Sequence, residues 1–170
     1  TNERFHVDCP EMYADVKPGN YLLIDDGKMR LTITDVQPGE LTCRIENSGV
    51  IKTRKGVNVP NVKLSMPFIS EKDESDLRFG CQMDVDFIAA SFVRRASDVL
   101  SIRKILLSEG KSKIQIIAKI ENQEGYDNLD EILEVSDGVM VARGDLGVEV
   151  STQLVPIYQK KIIKRANELG

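Results

Sequence analysis

Three near-continuous apolar runs in the second part of this 170-residue chain constrain its fold more than any other feature. The runs lie at 85–92, 114–120 and 138–142, and they lack the apolar–polar alternation of a half-exposed strand. Such runs are typical of strands covered on both faces. Their centres, near residues 88, 117 and 140, are 29 and 23 residues apart, which indicates right-handed β-α-β units in a parallel sheet.

Helical patterns separate and follow these runs. Residues 97–109 have apolar residues at helical spacing, with Ser97 as the predicted N-cap and Gly110 as the predicted stop. Residues 128–135 form a second predicted helix. After the third run one apolar helical face continues to Gly170, and its members are Val155, Tyr158, Ile162, Ala166 and Leu169.

The first 60 residues have a different pattern, alternation with a period of two. The alternating apolar residues are Met29, Leu31 and Ile33 in one strand and Leu41, Cys43 and Ile45 in the next. A short apolar strand at 21–24 precedes them, and turn residues stand at 25–27, 38–39 and 48–49. We therefore predict a small all-β domain at residues 1–60 and a strand–helix region at residues 61–170.

Composition excludes several classes of protein. The chain is 41% hydrophobic and 29% charged, as in globular proteins, with no long apolar span and no leader pattern, so we expect a cytoplasmic protein without a membrane partner. Its net charge of −4 does not favour binding to nucleic acid. Cys9, Cys43 and Cys81 form no C-x-x-C pair, so we expect apolar packing rather than a disulfide or a zinc site.

Polar residues follow the apolar runs, where the catalytic side chains of α/β proteins collect. These places are 91–92, 119–122 and 142–145. Lys119 and Glu121 are two apart and therefore point to the same side of a strand. Asp145 lies about one repeat beyond Glu121, which predicts the two carboxylates on neighbouring strands. Two carboxylates with room for water suit Mg²⁺, and Lys119 would supply positive charge to a phosphoryl group or an enolate.

A structural interpretation competes with this one. A Lys–Glu pair near a strand end is usually a surface pair, and Gly144-Asp145 is usually a turn. Functionally, Gly144 would let the backbone approach a ligand closely, and its amide and that of Asp145 would bind a carboxylate. The tripeptide at 45–47 repeats the Ile-Glu-Asn of 120–122 in an alternating strand, where it needs no function. Position after a buried run distinguishes the two copies.

Two long segments, IIAKIENQEG (116–125) and SDGVMVARGDLGVEV (136–150), closely resemble the pyruvate kinase signature. Shorter segments resemble the same family in the same order, namely LIDDG (23–27), KGVNVP (55–60), SEKD (70–73) and ASFVRR (90–95). The resemblance implies transfer of the phosphoryl group of phosphoenolpyruvate to ADP, giving pyruvate and ATP in glycolysis. It also implies an α/β fold in which a partial (β/α)₈ barrel is preceded by a small inserted all-β domain.

Residue roles follow from this resemblance. Lys119 is similar to the catalytic lysine that stabilises the transferring phosphoryl group and the enolate. Glu121 and Asp145 are similar to the protein ligands of Mg²⁺, for which Mn²⁺ is an alternative. Gly144 and Asp145 resemble the backbone donors to the substrate carboxylate. Ser91 is expected near the substrate phosphate.

Two further residues carry less definite roles. By the same resemblance, Lys55 is expected near the phosphates of the nucleotide. Arg143 is either a local source of charge or a buried structural arginine, and the sequence leaves both open.

The resemblance places other parts of the enzyme outside this chain. The first three barrel strands, with a phosphate-binding arginine and the K⁺ ligands, are expected before Thr1. The seventh strand, with a threonine implicated in protonating the enolate, and an allosteric C-terminal domain are expected after Gly170. We therefore expect the isolated chain to be inactive and to associate through open sheet edges. The complete enzyme is expected to be a homotetramer.

Two other functions remain open at this point. A metal-dependent lyase of the phosphoenolpyruvate/pyruvate barrel type also stabilises an enolate at an acidic metal site. A non-catalytic structural fragment would bind nothing. The β region and the full length of the two signature segments favour the kinase over the lyase, and a metal titration would distinguish a binding site from a structural fragment.

Overall fold

The computed structural model describes residues 4–9 and 11–170. Its contacts divide the chain into two compact units at the boundary between Met66 and Pro67. The first unit extends this far because Val59 is buried in its core, with Val62 and Leu64 packed against that core.

The first unit is an antiparallel sheet with one short helix. Its elements are α1 (Met12–Asp15), β1 (Tyr21–Ile24), β2 (Met29–Gln37), β3 (Glu40–Ile45) and β4 (Val57–Asn58), and the strand order is β3-β2-β1-β4. The predicted alternation in β2 is confirmed, because Met29, Leu31 and Ile33 are buried. The β1–β2 hairpin turns through Asp25, Asp26 and Gly27, which all have positive φ.

The repeated tripeptide at 45–47 has a structural role. Asn47 fastens the end of β3 to β2, since its Oδ1 accepts from the Arg30 N–H at 2.8 Å and its Nδ2 donates to the Lys28 carbonyl at 2.7 Å. Glu46 pairs with Arg44 at 2.8 Å, and Ile45 is exposed at the strand end.

The second unit alternates strands and helices. Its elements are α2 (Glu71–Gln82), β5 (Phe87–Ala90), α3 (Ala96–Ser108), β6 (Gln115–Ile120), α4 (Gln123–Asp127), α5 (Leu129–Val135), β7 (Gly138–Val141), α6 (Arg143–Glu149) and α7 (Val155–Leu169). The three strands pair in parallel in the order β5-β6-β7. The predicted parallel β-α-β arrangement is therefore confirmed, and the described strands do not form a closed barrel.

The core of this unit lies between the sheet and its helices. Ile116, Ala118 and Ile120 of β6 are buried against apolar residues of α3, α5 and α7, with Val99, Leu106, Ile132 and Ile162 among them. Each fully buried Val, Leu or Ile side chain contributes about 1.5–3 kcal/mol to folding. The opposite face of β6, with Ile117 and Lys119, is only half-buried. The expectation of strands covered on both faces is therefore wrong for the described structure, in which helices cover one face.

Local signals explain where element boundaries differ from the predictions. α3 begins at Ala96, so Ser97 lies inside the helix and is not the N-cap; the Ala96 N–H is instead bonded to Glu131 Oε1 at 3.0 Å. Gly110 does end this helix, with a φ of +69°.

α2 was not predicted, although its reciprocal capping by Ser70 and Asp73 is readable in the sequence. No helix among the described residues combines the length and apolar character needed to cross a membrane.

Candidate active site

The candidate side chains of the second unit lie at one edge of the parallel sheet. Ser91 directly follows β5, Lys119 is the penultimate residue of β6, and Glu121 directly follows β6. Asp145 lies in the first turn of α6, shortly after β7. Because parallel strands in register end at the same edge, these residues emerge on the face where ligands bind in α/β proteins.

Lys119 links the ends of two neighbouring strands. Its Nζ donates a hydrogen bond to Ser91 Oγ at 2.7 Å and lies 2.7 Å from Glu121 Oε1. The Lys119 side chain is 21% exposed, so its ammonium remains accessible while both neighbours restrict it. The two-residue spacing brings Lys119 and Glu121 together, as their expected orientation to one side required.

Glu121 is a fully buried carboxylate with two different oxygens. Oε2 accepts a hydrogen bond from the backbone N–H of Phe92. Oε1 lies 2.7 Å from Lys119 Nζ, within ion-pair distance, but it accepts no hydrogen bond. A buried carboxylate oxygen without a hydrogen bond is costly and needs an explanation. A divalent cation prefers an oxygen of this kind as a ligand.

Gly144 and Asp145, after β7, are more exposed to solvent than Glu121. Gly144 is exposed and Asp145 half-buried, and a Cβ added at Gly144 would meet no atom within 4 Å. Open space at Gly144 is consistent with a ligand approaching the backbone there. Among the residues that the structure describes, no three His, Cys, Asp or Glu side chains cluster as a metal site. A cation held by Glu121 and Asp145 would therefore complete its coordination with water or substrate, as Mg²⁺ usually does.

Arg143 is exposed at the start of α6, which excludes the buried structural arginine. It borders a cavity of about 280 Å³ between α6 and α7. The other lining residues are Thr152, Val155, Pro156 and Gln159. Arg143 therefore supplies positive charge beside Gly144 and Asp145.

Lys55 lies in the first unit. Its Nζ is 2.8 Å from Asp25 Oδ1, and Lys28 contacts the other oxygen of Asp25 at 2.9 Å. Hydrogen bonds from Lys55 and Lys28 lower the pKa of the Asp25 carboxyl. Asp25 thus holds Lys55 at the tip of the β1–β2 hairpin.

The loop after β5 and the turn after β6 are fastened together by residues that the sequence did not single out. Asn128 Nδ2 donates to the Arg94 carbonyl at 2.8 Å, and Arg95 pairs with Glu124 at 2.8 Å. Gly125 packs so closely that an added Cβ would lie 2.4 Å from the Val93 carbonyl oxygen. These contacts fix the two segments that carry Ser91 and Glu121.

The start of α4, which follows Glu121, could have been predicted from the sequence. Asn122 Oδ1 accepts from the Gly125 N–H at 2.7 Å and caps α4, as Asn does at helix starts. Tyr158 of α7 stacks on Tyr126 at 3.6 Å between ring centroids, and its hydroxyl donates to Gln123 at 3.0 Å. α7 therefore supports the turn that follows Glu121.

Comparison with known proteins identifies the family of this chain. A family model described as pyruvate kinase, barrel domain, matches residues 1–170. A pyruvate kinase of Clostridium acetobutylicum is 54% identical over 164 residues, which cover 96% of this chain and 35% of that protein. Pyruvate kinases of Clostridium perfringens (52% over 169 residues; 99% and 36%) and Staphylococcus haemolyticus (54% over 172 residues; 100% and 29%) are also similar. The chain spans about a third of the length of these curated relatives. On this evidence the chain belongs to the pyruvate kinase family.

Proposed function

We propose that this chain carries the catalytic lysine and the metal-binding carboxylates of a pyruvate kinase. The complete protein would transfer a phosphoryl group from phosphoenolpyruvate to ADP, giving pyruvate and ATP. The observation that carries this proposal is the buried Glu121 carboxylate, whose Oε1 accepts no hydrogen bond and lies 2.7 Å from Lys119 Nζ. Membership of the pyruvate kinase family supports the proposed reaction, and the contact between Lys119 and Glu121 supports the proposed position of the active site.

Lys119 is proposed as the catalytic residue. Phosphoryl transfer needs positioning and positive charge more than covalent chemistry. The Lys119 ammonium, held by Ser91 Oγ, would offer that charge to the phosphoryl group and to the enolate oxygen. Ser91 would thereby orient the lysine, and we propose that it also lies near the substrate phosphate.

Glu121 and Asp145 are proposed as ligands of Mg²⁺, with Mn²⁺ as a substitute. The buried Glu121 Oε1, which accepts no hydrogen bond and pairs only by charge with Lys119, supports this assignment. When bound, the metal would neutralise charge on the phosphoryl and enolate oxygens. We propose that K⁺ is also required, with ligands outside this chain.

Ligand recognition is proposed for two other positions. The N–H groups of Gly144 and Asp145 belong to the first turn of α6, where backbone donors lack intrahelical acceptors. They would donate to the carboxylate of phosphoenolpyruvate. Lys55 of the first unit is proposed to contact the nucleotide phosphates.

The three parallel strands are proposed to be part of a (β/α)₈ barrel, with the all-β unit as an inserted, lid-like domain. On the sheet face away from the helices, Phe87 and Met140 are exposed apolar side chains. A barrel interior filled by side chains of further strands would cover them. We also propose that the complete enzyme is a cytoplasmic homotetramer.

The lyase alternative has no specific observation in its favour. The family match extends over residues 1–170 and so includes the all-β unit as well as the strand–helix unit. A metal site near Glu121 would also argue against a purely structural fragment.

Metal binding tests the proposed site directly. Mn²⁺ would be titrated into the chain and the free ion measured by electron paramagnetic resonance. Glu121→Gln and Asp145→Asn should each weaken binding by about tenfold or more. Glu46→Gln is the matched control, because Glu46 occupies the same position in the repeated tripeptide, and it should bind Mn²⁺ as the unmodified chain does. Equal binding by all four proteins would refute the assignment.

Activity requires a complete enzyme. We define the grafted enzyme as the Clostridium acetobutylicum pyruvate kinase with its corresponding segment replaced by this chain. It should form pyruvate from phosphoenolpyruvate in an ADP-dependent reaction, and Glu121→Gln should abolish most of that turnover. A folded grafted enzyme without pyruvate formation would contradict the proposed function.

A further inference from the structure

Phe92 has an unusual backbone conformation beside the candidate metal ligand. Its φ is +53°, in the left-handed region, shortly after the end of β5. The other described non-glycine residues with positive φ are Asp25, Asp26, Arg54, Asn61 and Asp84. Asp and Asn adopt this region comparatively readily, whereas a bulky apolar residue rarely does so without compensation. Phe92 is the one apolar residue in this set.

The Phe92 side chain does not explain the conformation. The side chain is 41% exposed and does not belong to the buried core of the second unit. The compensation lies in the backbone, because the Phe92 N–H donates to Oε2 of the buried Glu121 carboxylate. Hydrogen bonds to a charged acceptor in a buried site are among the strongest in proteins.

Packing and a hydrogen bond fix the backbone that follows Phe92. Val93 is fully buried, its carbonyl abuts Gly125, and the next carbonyl, of Arg94, accepts a hydrogen bond from Asn128. If φ of Phe92 changed, residues 93 and 94 could therefore not move easily to accommodate the change. It would instead rotate the peptide between Ser91 and Phe92, which carries the N–H that Glu121 accepts.

We propose that Phe92 is a positioning residue for the metal site, acting through its left-handed backbone. Its N–H holds Oε2 of Glu121, which leaves Oε1 as the oxygen for a divalent cation. The Lys119 ammonium lies 2.7 Å from Oε1 in an ion pair but does not hydrogen-bond to it. This inference rests on the proposed function, since it assigns a supporting part to the proposed metal ligand.

Substitutions that differ in tolerance of positive φ test the proposal. Phe92→Gly and Phe92→Asn remove the ring but keep the conformation accessible, whereas Phe92→Val disfavours it. With Mn²⁺ as the probe, the affinities of the Phe92→Gly and Phe92→Asn variants should lie within about threefold of that of the unmodified chain. The Phe92→Val variant should bind Mn²⁺ about tenfold more weakly. Asn61→Val is the matched control, because Asn61 has a φ of +62° in the other unit. It should leave Mn²⁺ affinity unchanged.

Nuclear magnetic resonance gives a readout without metal. The Phe92 amide proton should resonate far downfield in the unmodified chain, and Glu121→Gln should shift it upfield as the charged acceptor is lost. In the grafted enzyme, Phe92→Val should raise the Mn²⁺ concentration needed for half-maximal activity, and excess Mn²⁺ should restore most of kcat. If the Phe92 ring itself took part in catalysis, excess Mn²⁺ would not restore kcat of Phe92→Val.

The outcomes separate this inference from the proposed function. Absence of Mn²⁺ binding by the unmodified chain would overturn the metal site and the inference together. Mn²⁺ binding that is equal in the unmodified chain and Phe92→Val would overturn the inference alone. Loss of affinity in Phe92→Gly and Phe92→Asn would assign the effect to the ring and also overturn it, even if Phe92→Val did not fold.

Discussion

Lys119 Nζ donates a hydrogen bond to Ser91 Oγ at 2.7 Å and thereby joins the ends of β5 and β6. The strand register allows this contact, because Ala90 and Ala118, the residues just before Ser91 and Lys119, lie opposite each other. The same ammonium lies 2.7 Å from Glu121 Oε1. Lys119 is therefore oriented by a neutral hydroxyl, while the carboxylate oxygen beside it stays without a hydrogen bond.

Ser91→Ala should reduce catalysis by releasing Lys119. The hydrogen bond from a charged donor would be lost, and the ammonium would be free to turn towards Glu121 Oε1. We expect kcat of the grafted enzyme to fall about tenfold, with a smaller change in the KM for ADP. Ser101→Ala, which removes a hydroxyl that donates to the Ser97 carbonyl within α3, should leave kcat unchanged. An unaltered kcat in Ser91→Ala would show that Ser91 does not orient the lysine.

Asp137 should make stability depend on acidic pH. Partial burial raises the pKa of its carboxyl, but hydrogen bonds from the Ile116 N–H, at 2.7 Å, and from Arg103 outweigh burial and lower it. A carboxyl with a lowered folded-state pKa stabilises the fold above its unfolded pKa, about 3.9. That contribution is lost as pH falls through the folded pKa. The effect of removing the charge should therefore be present at pH 7 and shrink below about pH 4.

Urea unfolding of Asp137→Asn checks this expectation. The side chain is 35% exposed, so solvent screens the pair, and we expect a loss of about 1 kcal/mol in the free energy of unfolding at pH 7. Asp130→Asn is the control, since Asp130 pairs with Arg165 at 2.6 Å but is 71% exposed. It should cost no more than about 0.5 kcal/mol. A difference between Asp137→Asn and the unmodified chain that stays constant from pH 7 to pH 3 would contradict the assignment.

Gly125→Ala and Gly80→Ala should have opposite effects on stability. Both glycines lie in helices, where alanine is favoured by up to about 1 kcal/mol. A Cβ at Gly80 would meet its nearest atom, in Val85, at an ordinary 3.6 Å, whereas a Cβ at Gly125 would lie 2.4 Å from the Val93 carbonyl oxygen. Because backbone must move at Gly125, we expect a loss of about 1–3 kcal/mol there. Urea unfolding of the two variants measures both effects, and stabilisation by Gly125→Ala would show that the two loops separate easily.

Local periodicity explains which parts of the fold could be predicted. The alternation in β2 and the Asp25-Asp26-Gly27 turn depend on neighbours in sequence, and both are present in the structure. The spacing of Lys119 and Glu121 likewise predicted that their side chains meet. The proposed roles of these residues stay predictions until metal binding and activity are measured.

Long-range backbone contacts explain what could not be predicted. The donor to Glu121 Oε2 is the main-chain N–H of Phe92, and every residue except proline has such a donor. The close packing of Gly125 on Val93 is likewise invisible in either segment alone. Apolar runs also did not reveal that one face of β6 stays half-buried, because a run records composition and not which surfaces cover it.

Lys119→Met should change kcat and metal affinity in opposite directions. Loss of a charge that acts on the developing transition state should lower kcat of the grafted enzyme by about 10²-fold or more, well beyond any rise in the KM for phosphoenolpyruvate. The ammonium also lies 2.7 Å from the carboxylate oxygen proposed to bind Mg²⁺. Because the ammonium and a bound cation repel each other, removal of the ammonium should tighten Mn²⁺ binding by about tenfold, which corresponds to about 1.4 kcal/mol.

Lys119→Arg separates charge from geometry in the same experiment. It keeps the positive charge beside Glu121 but places a planar, larger group where Ser91 accepts a compact ammonium. We expect kcat to fall as in Lys119→Met, while Mn²⁺ affinity stays close to that of the unmodified chain. Steady-state kinetics of the grafted enzyme and Mn²⁺ titration of the chain give the two quantities independently. A normal kcat with only a raised KM for phosphoenolpyruvate would assign Lys119 to substrate binding, and weaker Mn²⁺ binding by Lys119→Met would show that the ammonium supports the metal site instead of opposing it.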